Sequence, residues 1–172
     1  MTALFWATYY DEADVVRLLL NAGANPNIEN RYGMTPLIQA AMNGNSAMIT
    51  MLLEAGADAH ATTPEGDNAL LNAAKTGAVQ GVQALIEAGA DVNSRDSYLY
   101  QTPLMWAVAS NQADVARILI DHGADLNAQS AVLDFRGVAF SSTAGDFPDG
   151  GLTALHHAAR ENAIAATQIL IE

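Results

Sequence analysis

The sequence predicts an all-α fold: one solenoid of paired antiparallel helices with hairpin fingers, about four full repeats and a partial fifth. Three observations carry this expectation. One phrase returns every 33 or 34 residues, as TALFWAT at Thr2, TPLIQAA at Thr35, NALLNAA at Asn68 and TPLMWAV at Thr102, and once more after a longer gap as TALHHAA at Thr153. A second phrase follows the first four copies: NAGANPN from Asn21, EAGADAH from Glu54, EAGADVN from Glu87 and DHGADLN from Asp121. Helix start and stop signals recur in the same register. A unit this short cannot bury its own apolar face, so units must stack, and a stack offers a surface rather than a pocket.

Each unit opens on a helix N-cap, Thr2, Thr35, Asn68, Thr102 or Thr153, whose side-chain oxygen can accept from an otherwise unpaired backbone N–H. Pro36 and Pro103 follow at the first helical position, where a missing N–H costs nothing. The inner helix is thin, with Ala7, Ala40, Ala41, Ala73, Ala74, Ala107, Ala158 and Ala159 letting neighbouring units approach closely. A turn follows at Asp11, Gly44, Gly77, Asn111 and Asn162, residue types that tolerate left-handed backbone. The outer helix carries an apolar stripe, strongest in the column Leu19, Leu52, Leu85, Leu119, Leu170. It stops at Gly23, Gly56, Gly89 and Gly123, and a finger leads to the next cap. The units span 1–34, 35–67, 68–101, 102–152 and 153–172. Gly81 stands inside the third outer helix, where other units have Val15, Met48 and Val115; helix propensity alone marks it as a soft point costing about 1 kcal/mol against Ala.

With 51% hydrophobic and 15% charged residues the chain can build a core, and no apolar run approaches the roughly 18 residues of a membrane span. Cysteine is absent, which removes disulfides and thiolate ligands. The net charge of −12, with seven scattered basic residues, disfavours nucleic acid. Acidity reads as solubility or, more sharply, as steering toward a basic partner. Met1 fills the slot of Met34 and the chain stops at Glu172 in the register of Glu54, so it reads as a piece of a longer array. No signal peptide is visible, and the compartment is left open.

These phrases and their spacing resemble the ankyrin repeat family over nearly the whole chain except about residues 129–150. The wording and the Ala-rich, acidic composition resemble bacterial arrays. The resemblance implies a curved solenoid that binds proteins through its fingertips and inner helices, which together form a concave face. The family's usual His after TPL is replaced by Phe5, Ile38, Leu71 and Met105, and stands only at His156. His60 replaces the finger asparagine found at Asn27, Asn93 and Asn127, and Tyr100 takes the finger glycine slot in a unit of 34 residues.

The variable positions of that face include Tyr9, Tyr10, Tyr32, Met42, Lys75, Tyr98, Leu99, Tyr100 and Trp106, together with Gln101 and Ser110; all five tyrosines of the chain are among them. Tyrosine is enriched at binding hot spots. Trp6 and Trp106 share one inner-helix column with Gln39, Asn72 and His157, a mixture expected to be partly exposed. Thr102 and Thr153 lie 51 residues apart, and the extra segment, about 131–150, holds Phe135, Phe140 and Phe147. It is expected to form an extended finger docked on the solenoid or to bind a partner. No P-loop, GxGxxG, HExxH or GxSxG occurs, and the recurring Asp58, Asp91 and Asp125 read as turn residues rather than as an acid and base pair. The expectation is a protein- or peptide-binding module without catalytic, metal or cofactor chemistry, acting on neither nucleic acid nor membrane. The alternatives are a scaffold that self-associates through its ends, or an array recruiting substrate for an enzyme domain elsewhere.

Overall fold

The structure is a computed structural model that describes residues 2–131 and 151–171. Ten helices occur among these residues. Five are inner helices: α1 (Ala3–Tyr9), α3 (Pro36–Met42), α5 (Ala69–Thr76), α7 (Pro103–Ala109) and α9 (Ala154–Arg160). Five are outer helices: α2 (Ala13–Asn21), α4 (Ser46–Glu54), α6 (Val79–Glu87), α8 (Ala113–Asp121) and α10 (Ile164–Ile171). Each inner helix packs on its own outer helix and on the next inner helix, which gives the all-α solenoid of two rows. The helices run seven to nine residues.

The predicted caps form. Thr2, Thr35 and Thr102 Oγ1 accept from the N–H of Phe5, Ile38 and Met105 at 3.2, 3.3 and 3.3 Å, and Asn68 Oδ1 accepts from Leu71 at 2.9 Å. The last unit differs: His156 Nδ1 lies 3.3 Å from Thr153 N and 2.8 Å from Thr153 Oγ1, so this His bonds the cap residue itself. In the other four units that position is apolar and buried. All five inner-to-outer turns are left-handed, with φ of 61° at Asp11, 71° at Gly44, 78° at Gly77 and 54° at both Asn111 and Asn162.

The core is continuous from unit to unit. Leu37, Leu70 and Leu104 are buried in one column and Leu52, Leu85 and Leu119 in another, with Ala40, Ala41, Ala73, Ala74, Ala107 and Ala158 closing the inner row. The same faces surface at the first and last units, at Val15, Leu18, Leu155, Ile164 and Ile171. A polar ladder accompanies the core. Asn27 donates to Gly56 O at 2.9 Å and accepts from Asp58 N at 2.8 Å; Asn93 repeats the pair with Gly123 O and Asp125 N at 3.1 and 2.8 Å. His60 stands in the same column and makes neither bond among the described residues, so the ladder skips one junction. The recurring aspartates are turn residues: Asp58, Asp91 and Asp125 accept from the N–H two residues on, at 2.8, 2.9 and 2.9 Å.

Gly81 is not a soft point. It is buried, and a Cβ there would stand 2.6 Å from Ile49 Cδ1 and 3.4 Å from Ser46 Cα, both on α4. The α4 column that reads Val16, Val82 and Ala116 elsewhere carries the longer Ile49 here, and the missing side chain at Gly81 makes room for it. Two effects then oppose each other at this site, a helix-propensity gain of about 1 kcal/mol for Ala and the steric cost against Ile49. Gly81→Ala is expected to be neutral or destabilising in the native background and to stabilise by about 1 kcal/mol once Ile49→Val has removed Cδ1. Urea unfolding of the four proteins measures this; equal effects in both backgrounds would show that sterics do not hold the glycine.

Candidate functional site

The surface opposite the outer helices is built from the inner helices and the fingers. Each finger is closed at its base by one backbone bond. Asn30 N donates to Met34 O at 2.9 Å, Thr63 N to Asp67 O at 2.9 Å, Asp96 N to Gln101 O at 3.1 Å and Ser130 N to Leu152 O at 3.1 Å. The third closure spans one residue more than the first two, which accounts for the 34-residue unit. The fourth spans the extra segment. Gly151 N donates to Ser130 O at 3.0 Å and Leu152 N to Ser130 Oγ at 3.2 Å, so the insertion leaves and re-enters through a closed finger base. Phe135, Phe140 and Phe147, and the expected docking of the 131–150 segment, lie outside the described residues.

Fingers also bond to one another: Ser97 N donates to Glu65 O at 3.0 Å, and Arg95 donates to Gln129 O at 2.8 Å. The approach is close enough that a Cβ on Gly66 would meet Ser97 N at 2.8 Å. In the third finger this slot holds Tyr100 at φ +53°, where an L residue is strained.

Two aromatic clusters occupy this face. The central one joins α5, α7 and the third finger. Lys75 Nζ sits 4.6 Å above the Trp106 ring, and Trp106 Nε1 donates to Asp96 Oδ2 at 3.2 Å. Asp96 Oδ1 accepts from Tyr98 N and Leu99 N at 3.1 and 2.7 Å, which holds the finger open with Tyr98 76% exposed beside it. Leu99 is half-buried and Tyr100 exposed. Asp67 lies nearby; burial pushes its carboxyl above the usual range and Asp96 pushes the same way, while Asn72 Nδ2, donating at 2.8 Å, and Lys75 pull it back.

The second cluster lies at the first unit. Trp6, Tyr9 and Tyr10 pack together at ring distances of 5.2 to 5.8 Å, Trp6 and Tyr10 nearly parallel and Tyr9 edge-on to both. With Phe5 of α1, with Asn30 and Met34 of the first finger, and with Gln39 of α3, they line an open pocket of 370 Å³. Met42, one repeat beyond Tyr9 in the same column, and Tyr32 on the first finger are exposed but line no part of it. The Arg31 guanidinium lies 4.6 Å over the Tyr32 ring. Asn30 and Asp96 are the members that residue types alone did not single out; the spacing of Trp6, Tyr9 and Tyr10 on one helix face is the signal that locates the pocket.

Two expectations need correction. Gln101 is buried under the third finger rather than presented at its tip. The Trp6 column is mixed, with Trp6 exposed, Asn72 and Trp106 half-buried, and Gln39 and His157 buried. No group of three metal-ligating side chains occurs among the described residues, and no helix of theirs is long and apolar enough to cross a membrane.

A family model described as ankyrin repeats (3 copies) matches residues 1–63 and again 50–130. The chain belongs to the ankyrin repeat family. A comparison with curated proteins finds no match. In this ankyrin array the fifth unit lies beyond the matched span, yet α9 and α10 stack on α7 and α8 as the earlier pairs do.

That fifth ankyrin unit contains an unusual buried group. His157 is 2% exposed and neither ring nitrogen has a partner among the described residues. Burial, then Arg160, hold its pKa below the ordinary 6.5, with Glu161 opposing and His156 adding to the depression. The unfolded chain therefore takes up this proton first, so stability present above pH 6.5 is lost as pH falls below it. Thermal unfolding of the array and of His157→Leu should give curves whose separation is constant above that pH and changes below it, with the native protein falling the faster. Parallel curves throughout would mean that the ring is not held neutral. Tyr100 gives a second expectation: Tyr100→Gly relieves left-handed strain and should raise stability by about 1 kcal/mol, read from the urea midpoint. A loss of stability would mean that the tyrosine ring contributes more to the finger than its backbone costs.

Proposed function

We propose that this ankyrin array is a protein-interaction module that holds a protein or peptide along its inner-helix and finger face. The family supports protein binding in general. The observation that carries the reading to this face is the placement of exposed aromatic side chains. Trp6, Tyr9, Tyr10, Tyr32, Tyr98 and Tyr100 are all exposed, and all lie on the inner helices or fingers. Large, stiff rings with a polar edge give much contact area for little lost entropy. Tyr100 keeps its strained backbone although glycine would relax it, as expected where a side chain is retained for contact rather than stability.

The central cluster is preorganised for this work. Asp96 pins Trp106 and the Tyr98–Leu99 turn at once, and Lys75 lies over the indole, so a partner meets an ordered platform. On this reading the array recruits and carries out no chemistry of its own.

The test is a quantitative capture experiment with three immobilised proteins: native, Tyr98→Ala/Trp106→Ala, and Asp14→Ala/Gln83→Ala on the outer helices. Partners retained by the native and outer-helix proteins should fall at least about tenfold with the double aromatic variant, as expected when hot-spot rings are truncated. Loss on the outer-helix variant instead, with the aromatic variant unaffected, would move the site to the opposite face.

A further inference from the structure

We infer that the Trp6–Tyr9–Tyr10 pocket takes a cationic side chain, an arginine or lysine, from an extended segment of a partner protein. The inference rests on the proposed use of this face and names the partner chemistry at one end of it.

The array uses this chemistry on itself twice. Lys75 lies 4.6 Å over Trp106, and Arg31 lies 4.6 Å over Tyr32. Trp106 and Trp6 are equivalent residues of units 4 and 1. Trp6, with Tyr9 and Tyr10, forms the largest aromatic group of the described residues, and no cation among those residues lies over its rings. Trp6 is 42% and Tyr10 66% exposed, so ring surface is available.

The polar groups of the pocket fit the same ligand. Its lining carries no ionised side chain. Gln39 Nε2 donates to Asn43 Oδ1 at 2.9 Å, which fixes the amide, and Gln39 Oε1 is the acceptor it offers toward guanidinium or ammonium N–H groups. Asn30 Oδ1 already accepts from Tyr32 N and Met34 N, at 2.8 and 3.1 Å, so its amide nitrogen is free to donate to a peptide carbonyl beside the bound side chain. The field around the pocket has the required sign. Asp11 and Glu12 follow Tyr10 and Glu29 precedes Asn30, all three exposed, against one cation beside the lining, Arg31, which is committed to Tyr32, and the chain carries −12 overall. A cation over tyrosine or tryptophan faces is attracted by the ring quadrupole, and the acidic rim adds a long-range, salt-sensitive term.

The experiment titrates the whole ¹⁵N-labelled chain with a seven-residue Gly/Ser peptide bearing one central arginine. Parallel titrations use the same peptide with lysine, with citrulline, which keeps the shape without the charge, and with norleucine. The Trp6 indole N–H resonance, identified by its absence in Trp6→Phe, reports occupancy. Arginine and lysine should bind at least about fivefold more tightly than citrulline and norleucine, the ratio for about 1 kcal/mol of cation–π energy. Binding should weaken with added salt and fall by a similar factor in Tyr10→Leu, while Gln83→Ala on the outer helices leaves it unchanged. Tighter binding of norleucine, or equal binding of citrulline, overturns the cation assignment and leaves the wider surface to the capture experiment. A shift at Trp106 with none at Trp6 overturns the location.

Discussion

Every part of this molecule depends on the contact between one repeat and the next. Helices of seven to nine residues fall well below the roughly 12–15 at which an isolated helix becomes marginal in water. Their hydrogen bonds cannot repay the ordering of the backbone without burial, and a unit of this size buries its apolar columns only against a neighbour. Residues facing the next unit are therefore held to a narrow choice. The leucine columns and the inner alanines show that restriction, and the Ile49 and Gly81 pair shows how tight it is. One extra methyl group on α4 is matched by the loss of a whole side chain on α6.

Stacking alone would leave the units free to slide, because apolar columns repeat. Directional bonds set the register. Asn27 and Asn93 each bridge two backbone groups of the following unit, Asn43 Nδ2 donates to Thr8 O at 2.8 Å, and Thr76 Oγ1 to Ala41 O at 3.2 Å. The Thr8 and Ala41 carbonyls already accept from the turn N–H groups of Asp11 and Gly44 at 3.0 Å, so Asn43 and Thr76 each add a second donor at the end of the preceding unit's inner helix. The finger closures set register locally. Because the fourth closure joins Ser130 to Leu152 as the first joins Asn30 to Met34, an inserted segment can be carried there without moving α9 and α10 off the stack. Closing a longer loop adds little entropy cost, since that cost grows only with the logarithm of length.

What could be read from residues alone follows from this division. Caps, left-handed turns, helix pairing and leucine columns are set within one unit by groups a few residues apart, and each was legible at its own position. Features that depend on two units were not. Gly81 looks like a propensity defect until Ile49 is placed against it. Gln101 sits in a variable fingertip position, yet it closes the base of its finger as Met34 and Asp67 do in theirs, and is buried there. His157 shares a column with exposed Trp6 but is buried, because exposure in that column depends on which side chains the neighbouring unit and finger supply. The roles of Asp96 and of the Asn30 amide come from finger geometry, which the repeat pattern does not encode.

The same division explains where function can be carried. A position bound by both stacking and register has no freedom left for a partner, and that describes most of the outer rows and the inner alanines. The inner-helix ends and fingers are anchored at their bases and free beyond them. There the chain holds aromatic rings in water, a tyrosine in left-handed backbone and an indole tied to a carboxylate, none of which the stack needs for its own cohesion. Rings left 42% to 76% exposed give the fold only part of their area, and Tyr100 carries a backbone cost on the order of 1 kcal/mol or more. On the proposed reading these groups meet another surface together, and rigid finger bases lower the entropy that such contact must spend.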